Sequence, residues 1–272
     1  MDMIGDPDLL PARVWADEGR AARTEKSHPR RGRGLDPRKL RLALLGAWAA
    51  VIAAAPLAPA LAQSDQNLCN GVEFDIKRPL VVSKVIAPSR VYFVKGFDAK
   101  AACPSDAAAC RMASYLVPGD LALTGRTLDG FVCVSYQSPL SGVQDWTKRW
   151  LPATALAPVP PMRAPTTSDW IGRWVHPGGE ISIAPNNTGR LTITGSQTYP
   201  ALLSVHTGDL AAEAMPSNGM IAFADDGSVP FDKAEEGQCL VRIQRVGAWL
   251  AVEDNERCGG VMVTFTGLYR RR

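Results

Sequence analysis

The chain has 272 residues, with 30 Lys and Arg against 27 Asp and Glu, a formal net charge of +3, and six cysteines. Ten of the basic and seven of the acidic residues precede Gln63, so the chain from there on is neutral overall, with 20 of each sign. A neutral body carries no basic stripe for nucleic acid or for anionic lipid, which excludes nucleic acid as a partner.

Residues 1–37 are polar, rich in Arg and Pro, and without a sustained apolar period, so they are read as a disordered extension or a start assigned too early. Next comes the basic run Arg38-Lys39-Leu40-Arg41, an uncharged apolar stretch from Leu42 to Leu57, and Ala60-Leu61-Ala62. That order predicts a cleavable secretory signal over 38–62 and a mature start near Gln63. A membrane span needs about 20 predominantly apolar residues, and Pro56 and Pro59 interrupt the second half of this one. The mature form is therefore expected to be periplasmic or secreted and not membrane-anchored. All six cysteines follow the cleavage point, as suits an oxidising compartment. No Cys-x-x-Cys or paired-His spacing points to zinc, and neither a metal nor a cofactor is expected.

The remaining residues read as all-β: short apolar runs punctuated by Gly, Pro, Asn and Asp. Residues 63–80 form an N-terminal extension. A first domain over 81–156 has strands at 91–94, 121–124, 131–136 and 150–156, separated by the turns Pro118-Gly119-Asp120 and Leu128-Asp129-Gly130. The Ala-rich piece 98–112 is expected to hold a helical turn. Cys103 and Cys110 bracket a short polar loop, and Cys69 is placed to reach Cys133. Four cysteines allow three connectivities, so these two pairings are a hypothesis. Trp150 is assigned to the core, and Trp146 to either a loop cap or an exposed surface. Tyr92, Tyr136 and Trp146 are the candidate ligand-binding residues, offering aromatic faces to a peptide or glycan.

Residues 157–168 contain four prolines and are predicted to form an extended spacer of roughly 30 Å. The second domain, 169–272, shows strands at 171–176, 180–183, 190–194, 220–224, 239–244, 249–253 and 261–269. Six to eight such strands close most simply into an antiparallel barrel or sandwich. Cys239 and Cys258 are read as a structural staple rather than a redox pair.

On the Gly-Asp turn at 119–120, the Gly-bearing loop at 130 and the Trp150-Leu151 pair running to Leu156, the first domain resembles the bacterial SH3-like family. That resemblance implies an SH3-like small barrel that contacts cell-envelope peptide or glycan. Two places depart from the family: the insertion around Cys103 and Cys110, and the long loop 137–146. The opening Gly172-Arg173-Trp174 resembles that of calycin-type barrels, which include lipocalins, avidins and bacterial protease inhibitors. It implies a basic residue of the last strand packed over Trp174, with Arg270 the matching position. The tail 254–270 resembles the end of many small exported bacterial proteins with no assigned activity.

Chemistry-bearing motifs are few. The exported part has two histidines, His176 and His206, neither beside a recognisable nucleophile. Asp225-Asp226-Gly227 and Glu235-Glu236-Gly237 read as solvated turns, and Asp254 and Asn255 as loop hydrogen-bonders. The sequence points to a non-catalytic exported binding protein whose partner is cell-wall peptide or glycan, or an envelope or host protein. The alternative is an inhibitor of a protease or lysozyme built on the calycin-like barrel.

Overall fold

Alternating apolar and polar side chains give a strand one face to bury. The computed structural model shows this done twice, in two antiparallel sheets with separate cores. It describes residues 67–139, 145–235 and 237–272. The expected extension at 1–37, the signal at 38–62 and the start at Gln63 lie outside them, as do residues 140–144 of the long loop and Glu236.

The first sheet is built from β1 (Val81–Val85), β2 (Val91–Val94), β3 (Arg111–Leu116), β4 (Leu121–Leu128), β5 (Phe131–Gln137), β6 (Trp146–Pro152) and β7 (Leu156–Pro158). Their spatial order is β3-β2-β6-β5-β4-β1-β7. Val85, Phe93, Leu116, Val134 and Leu151 fill its core. A second cluster gathers Trp150 with the cystines Cys69–Cys133 and Cys103–Cys110. Both pairings are those expected.

The piece 98–112 holds single turns, closed by Lys100 N donating to Gly96 O and Cys103 N to Lys100 O, but no helix. The chain makes successive turns up to Cys110 and enters β3 at Arg111. Pro104 has no N–H to donate, and the Cys103–Cys110 bridge closes within a separation of 7 residues. That leaves too little chain for a self-supporting helix.

The second sheet follows a one-turn helix, α1 (Thr167–Trp170), whose start is held by a capping box between Thr166 and Asp169. Its strands are β8 (Gly172–His176), β9 (Gly179–Pro185), β10 (Leu191–Pro200), β11 (Val205–Ala214), β12 (Met220–Ala224), β13 (Leu240–Val246), β14 (Trp249–Asp254) and β15 (Gly267–Arg271). They run in the order β11-β10-β9-β8-β15-β14-β13-β12. The outermost strands approach each other where Glu213 N donates to Asp226 O at 3.0 Å, which nearly closes a barrel. Trp174, Ile193, Ile243, Leu250, Phe265 and Tyr269 occupy its interior, each with no exposed surface.

Two strands differ from expectation. β11 alternates small residues, Gly208, Leu210, Ala212 and Ala214 inward, a pattern too weak in apolar bulk to stand out. The last strand begins at Gly267, not Val261, because Asp254 gathers the preceding loop. Its Oδ1 accepts hydrogen bonds from Thr264 Oγ1, Thr266 Oγ1 and the backbone N–H groups of Phe265 and Thr266.

The segment 157–168 is not a spacer that holds the sheets apart. Ala157 and Pro158 pair with β1, Val159 N donates to Val82 O at 2.8 Å, and Met162 N donates to Arg245 O at 2.8 Å. The sheets themselves pack together, Val82 and Leu123 of the first against Val246 and Ala251 of the second. Covering that apolar strip brings the sheets together, and the connector runs along them, its first residues extended as β7. The N-terminal extension seals the same junction. Arg242 Nη2 donates to the carbonyls of Asp75 and Ile76 at 3.2 and 2.7 Å, and Leu80 N donates to Glu253 Oε1 at 3.0 Å. Arg242 and Glu253, both buried, form an ion pair at 3.0 Å. Every residue of β13 is consequently buried, one face by the barrel interior and the other by this junction.

Candidate functional site

Two curved sheets that touch along one strip leave crevices beside it. The larger has a volume of about 560 Å³, inside the range of roughly 300–1,000 Å³ usual for small-molecule sites. One wall carries Lys84 of β1, Asp120 at the entrance to β4, Tyr136 of β5 and Trp146 of β6. The other carries His176 of β8, Trp249 of β14 and Arg270 of β15. A smaller crevice of about 400 Å³ includes Asn70, Phe74, Lys148 and Glu253. Trp146 lines both and partitions them.

His176 is the unusual group. It is 7% exposed, stacked on Tyr269 at 4.7 Å and tilted against Trp146 at 5.9 Å. Neither ring nitrogen has a hydrogen-bond partner among the described residues. Burial drives its pKa down to about 3, against a smaller opposing pull from the backbone of Pro177, so the ring is neutral at ordinary pH. A neutral imidazole has one donor and one acceptor, and both are idle beside the cleft. Gly267 makes room for it: a Cβ there would lie 2.3 Å from His176 Nε2.

The other polar groups are partly engaged. Asp120 Oδ2 accepts from Val117 N at 2.8 Å. Tyr136 has its pKa raised, first by burial and then by the charge of Asp120. In the smaller crevice burial raises the pKa of Glu253, with Arg242 and the Leu80 amide pulling the other way. Burial likewise raises that of Asp254. These two carboxyls serve the junction and the loop after β14. Asn255 does the same, its Oδ1 accepting from Leu240 N at 3.0 Å.

The structure brings Tyr136 and Trp146 together on one wall of the cleft. Tyr92 lies elsewhere, a correction to its grouping with them. It packs edge-on to Tyr115 at 5.6 Å with the Arg111 guanidinium 3.5 Å over its ring.

Arg270 needs a second correction. Trp174 is buried, donates from Nε1 to Trp170 O at 2.9 Å, and is covered by Arg271 at 4.8 Å and Arg245 at 4.7 Å. In the β15–β8 pairing Arg271 faces Trp174 and Arg270 faces Val175. A shift of one residue in a strand moves a side chain to the opposite face, which turns Arg270 to the cleft. The remaining histidine, His206, is half-buried at the base of the β10–β11 turn, its Nδ1 donating to Val261 O at 2.5 Å.

Sequence reasoning missed Lys84, Asp120, His176 and Trp249 as cleft residues. Only His176 carried a signal, a strand-end histidine before Pro177-Gly178-Gly179 with no polar neighbour in sequence to satisfy it. Comparison with known proteins finds no matching family model, curated protein or solved structure.

Proposed function

We propose that the protein is an exported, non-catalytic binding protein that holds a segment of cell-envelope peptide or glycan in the cleft between its two sheets. The observation that carries this reading is the composition of that cleft. Tyr136, Trp146 and Trp249 supply flat apolar faces, Lys84, Asp120 and Arg270 supply charge, and His176 supplies an idle donor and acceptor. Aromatic faces with a few convergent polar groups are how shallow sites hold sugar rings and peptide side chains.

Export rests on the signal read at 38–62 and agrees with three cysteine pairs at disulfide distance, bonds that persist in oxidising compartments. The envelope as the source of ligand rests on the SH3-like resemblance of 81–156. Binding without turnover is supported by the setting of His176. Among the described residues neither ring nitrogen has a hydrogen-bond partner, whereas a general base is held in place by one.

The test is retention on isolated peptidoglycan by the wild-type protein, W146A and Y92A. Wild type and Y92A are expected to be retained alike, and W146A at least tenfold less. Retention unaffected by W146A would remove the cleft from the proposal; no retention of wild type would remove the ligand class.

A further inference from the structure

The turn between β10 and β11 breaks the ordinary rule for turn residues. Ala201 N donates to Ser204 O at 2.9 Å, which puts Leu202 and Leu203 at the two central positions, where Gly, Pro, Asn and Asp usually sit. They are 97% and 95% exposed. Beside them Val205 is 64% exposed, and on the neighbouring loop Val261 and Met262 are 72% and 64% exposed.

That loop is held against the turn. Gly260 N donates to Thr207 O at 3.0 Å, and His206 Nδ1 donates to Val261 O. A Cβ on Gly208 would come within 2.9 Å of Gly259 Cα, so the two backbones touch and bring both loops, with their exposed apolar side chains, to the same end of the sheet. Monomeric proteins rarely leave such a patch bare without a use for it.

We infer that this patch is a membrane-contact tip, which inserts Leu202 and Leu203 into the apolar interface of a lipid bilayer. Two observations select a bilayer over a protein groove. The leucines stand at a convex apex, not in a concavity. Residues 199–208 and 258–267 contain no Asp, Glu, Lys or Arg, so nothing charged has to be dehydrated on entry.

Tyr199, packed on His206 at 6.4 Å at the base of the tip, occupies the place of an interfacial aromatic. The contact is peripheral, since among the described residues no helix is long and apolar enough to cross a membrane. With no basic patch beside it, binding is driven by apolar burial and is weak, no tighter than the roughly 10⁴ M⁻¹ of a single myristoyl chain.

The test is vesicle co-sedimentation of the full chain expressed for export and purified with its disulfides formed, as wild type and as L202D/L203D. Phosphatidylethanolamine/phosphatidylcholine vesicles, with and without phosphatidylglycerol, are run at low and high salt. The expected result is binding to both vesicle types, insensitive to salt and at least tenfold weaker in the variant, whose melting temperature stays unchanged because both positions are exposed. Binding only to the anionic vesicles and lost in salt would overturn the inference, as would no binding at millimolar lipid. A wild-type dimer in solution that L202D/L203D converts to monomer, without vesicle binding, would overturn it in favour of a second copy of the chain.

Discussion

His176 and Arg271 illustrate how much depends on single side chains. Burial holds His176 neutral with a pKa of about 3 against 6.5 when exposed. Between those values the unfolded chain binds a proton that the folded chain excludes, so stability falls as pH drops from about 6.5 toward 3, by at most on the order of 4 kcal/mol. Glu253 and Asp254, raised by burial, act in the opposite sense and lose their contribution as pH rises. The comparison that isolates the histidine is H176F: its urea midpoint is expected to fall less than that of wild type between pH 7 and pH 4. Equal falls would show that His176 does not set the acid limit. Arg271 covers Trp174 and donates to the carbonyls of Ser168, Asp169 and Ile171. R271A is expected to cost about 1–2 kcal/mol in urea unfolding, and R270A under about 0.5 kcal/mol, since Arg270 is exposed at the cleft. Equal costs would contradict the register that puts Arg271 over the indole.

At the scale of elements, each cystine closes a different length of chain. The separations are 64 residues for Cys69–Cys133, 19 for Cys239–Cys258 and 7 for Cys103–Cys110. Chain-entropy arguments give about 4, 3 and 2.5 kcal/mol in that order. Paired Cys→Ala variants unfolded in urea are expected to follow this ranking. C69A/C133A should also loosen the extension, because Gly71 N donates to Cys133 Sγ and Val72 N to Ser135 Oγ. Faster amide exchange at 70–80 in that variant is the readout, and an unchanged rate would mean that Arg242 and Glu253 hold the extension unaided.

The whole molecule is coupled through the strip of Val82, Leu123, Val246 and Ala251 and the buried Arg242–Glu253 pair. Removing Arg242 alone strands a buried carboxylate, at a cost of about 3 kcal/mol or more; adding E253Q to R242M should recover part of it. Calorimetry is expected to give one transition for wild type and two for V246D, whose charge would sit in the apolar strip. A wild-type trace with two transitions would show that the sheets unfold independently despite their shared packing.

What the residues by themselves determined is whatever depends on local period and local covalent reach. The alternation in β9 and in the first half of β10, the turns at 118–120 and 128–130, and the shorter cystines Cys103–Cys110 and Cys239–Cys258 were legible, because neighbouring side chains or a nearby thiol favour them, whereas Cys69–Cys133, 64 residues apart, was one of three open connectivities. β11 was not, since Gly and Ala alternate without bulk. The aromatic candidates Tyr136 and Trp146 were legible as strand-end rings, but their meeting with His176, Trp249 and Arg270 was not. Those residues come from strands 30 to 130 positions apart in sequence, and only the docking of one sheet on the other brings them to one cleft. The same docking turned a proline-rich spacer into a packed connector, and register alone decided that Arg271 and not Arg270 covers Trp174. Local chemistry thus chose the strands and the staples, while the burial of a shared apolar strip, which no local pattern encodes, chose where a ligand can sit.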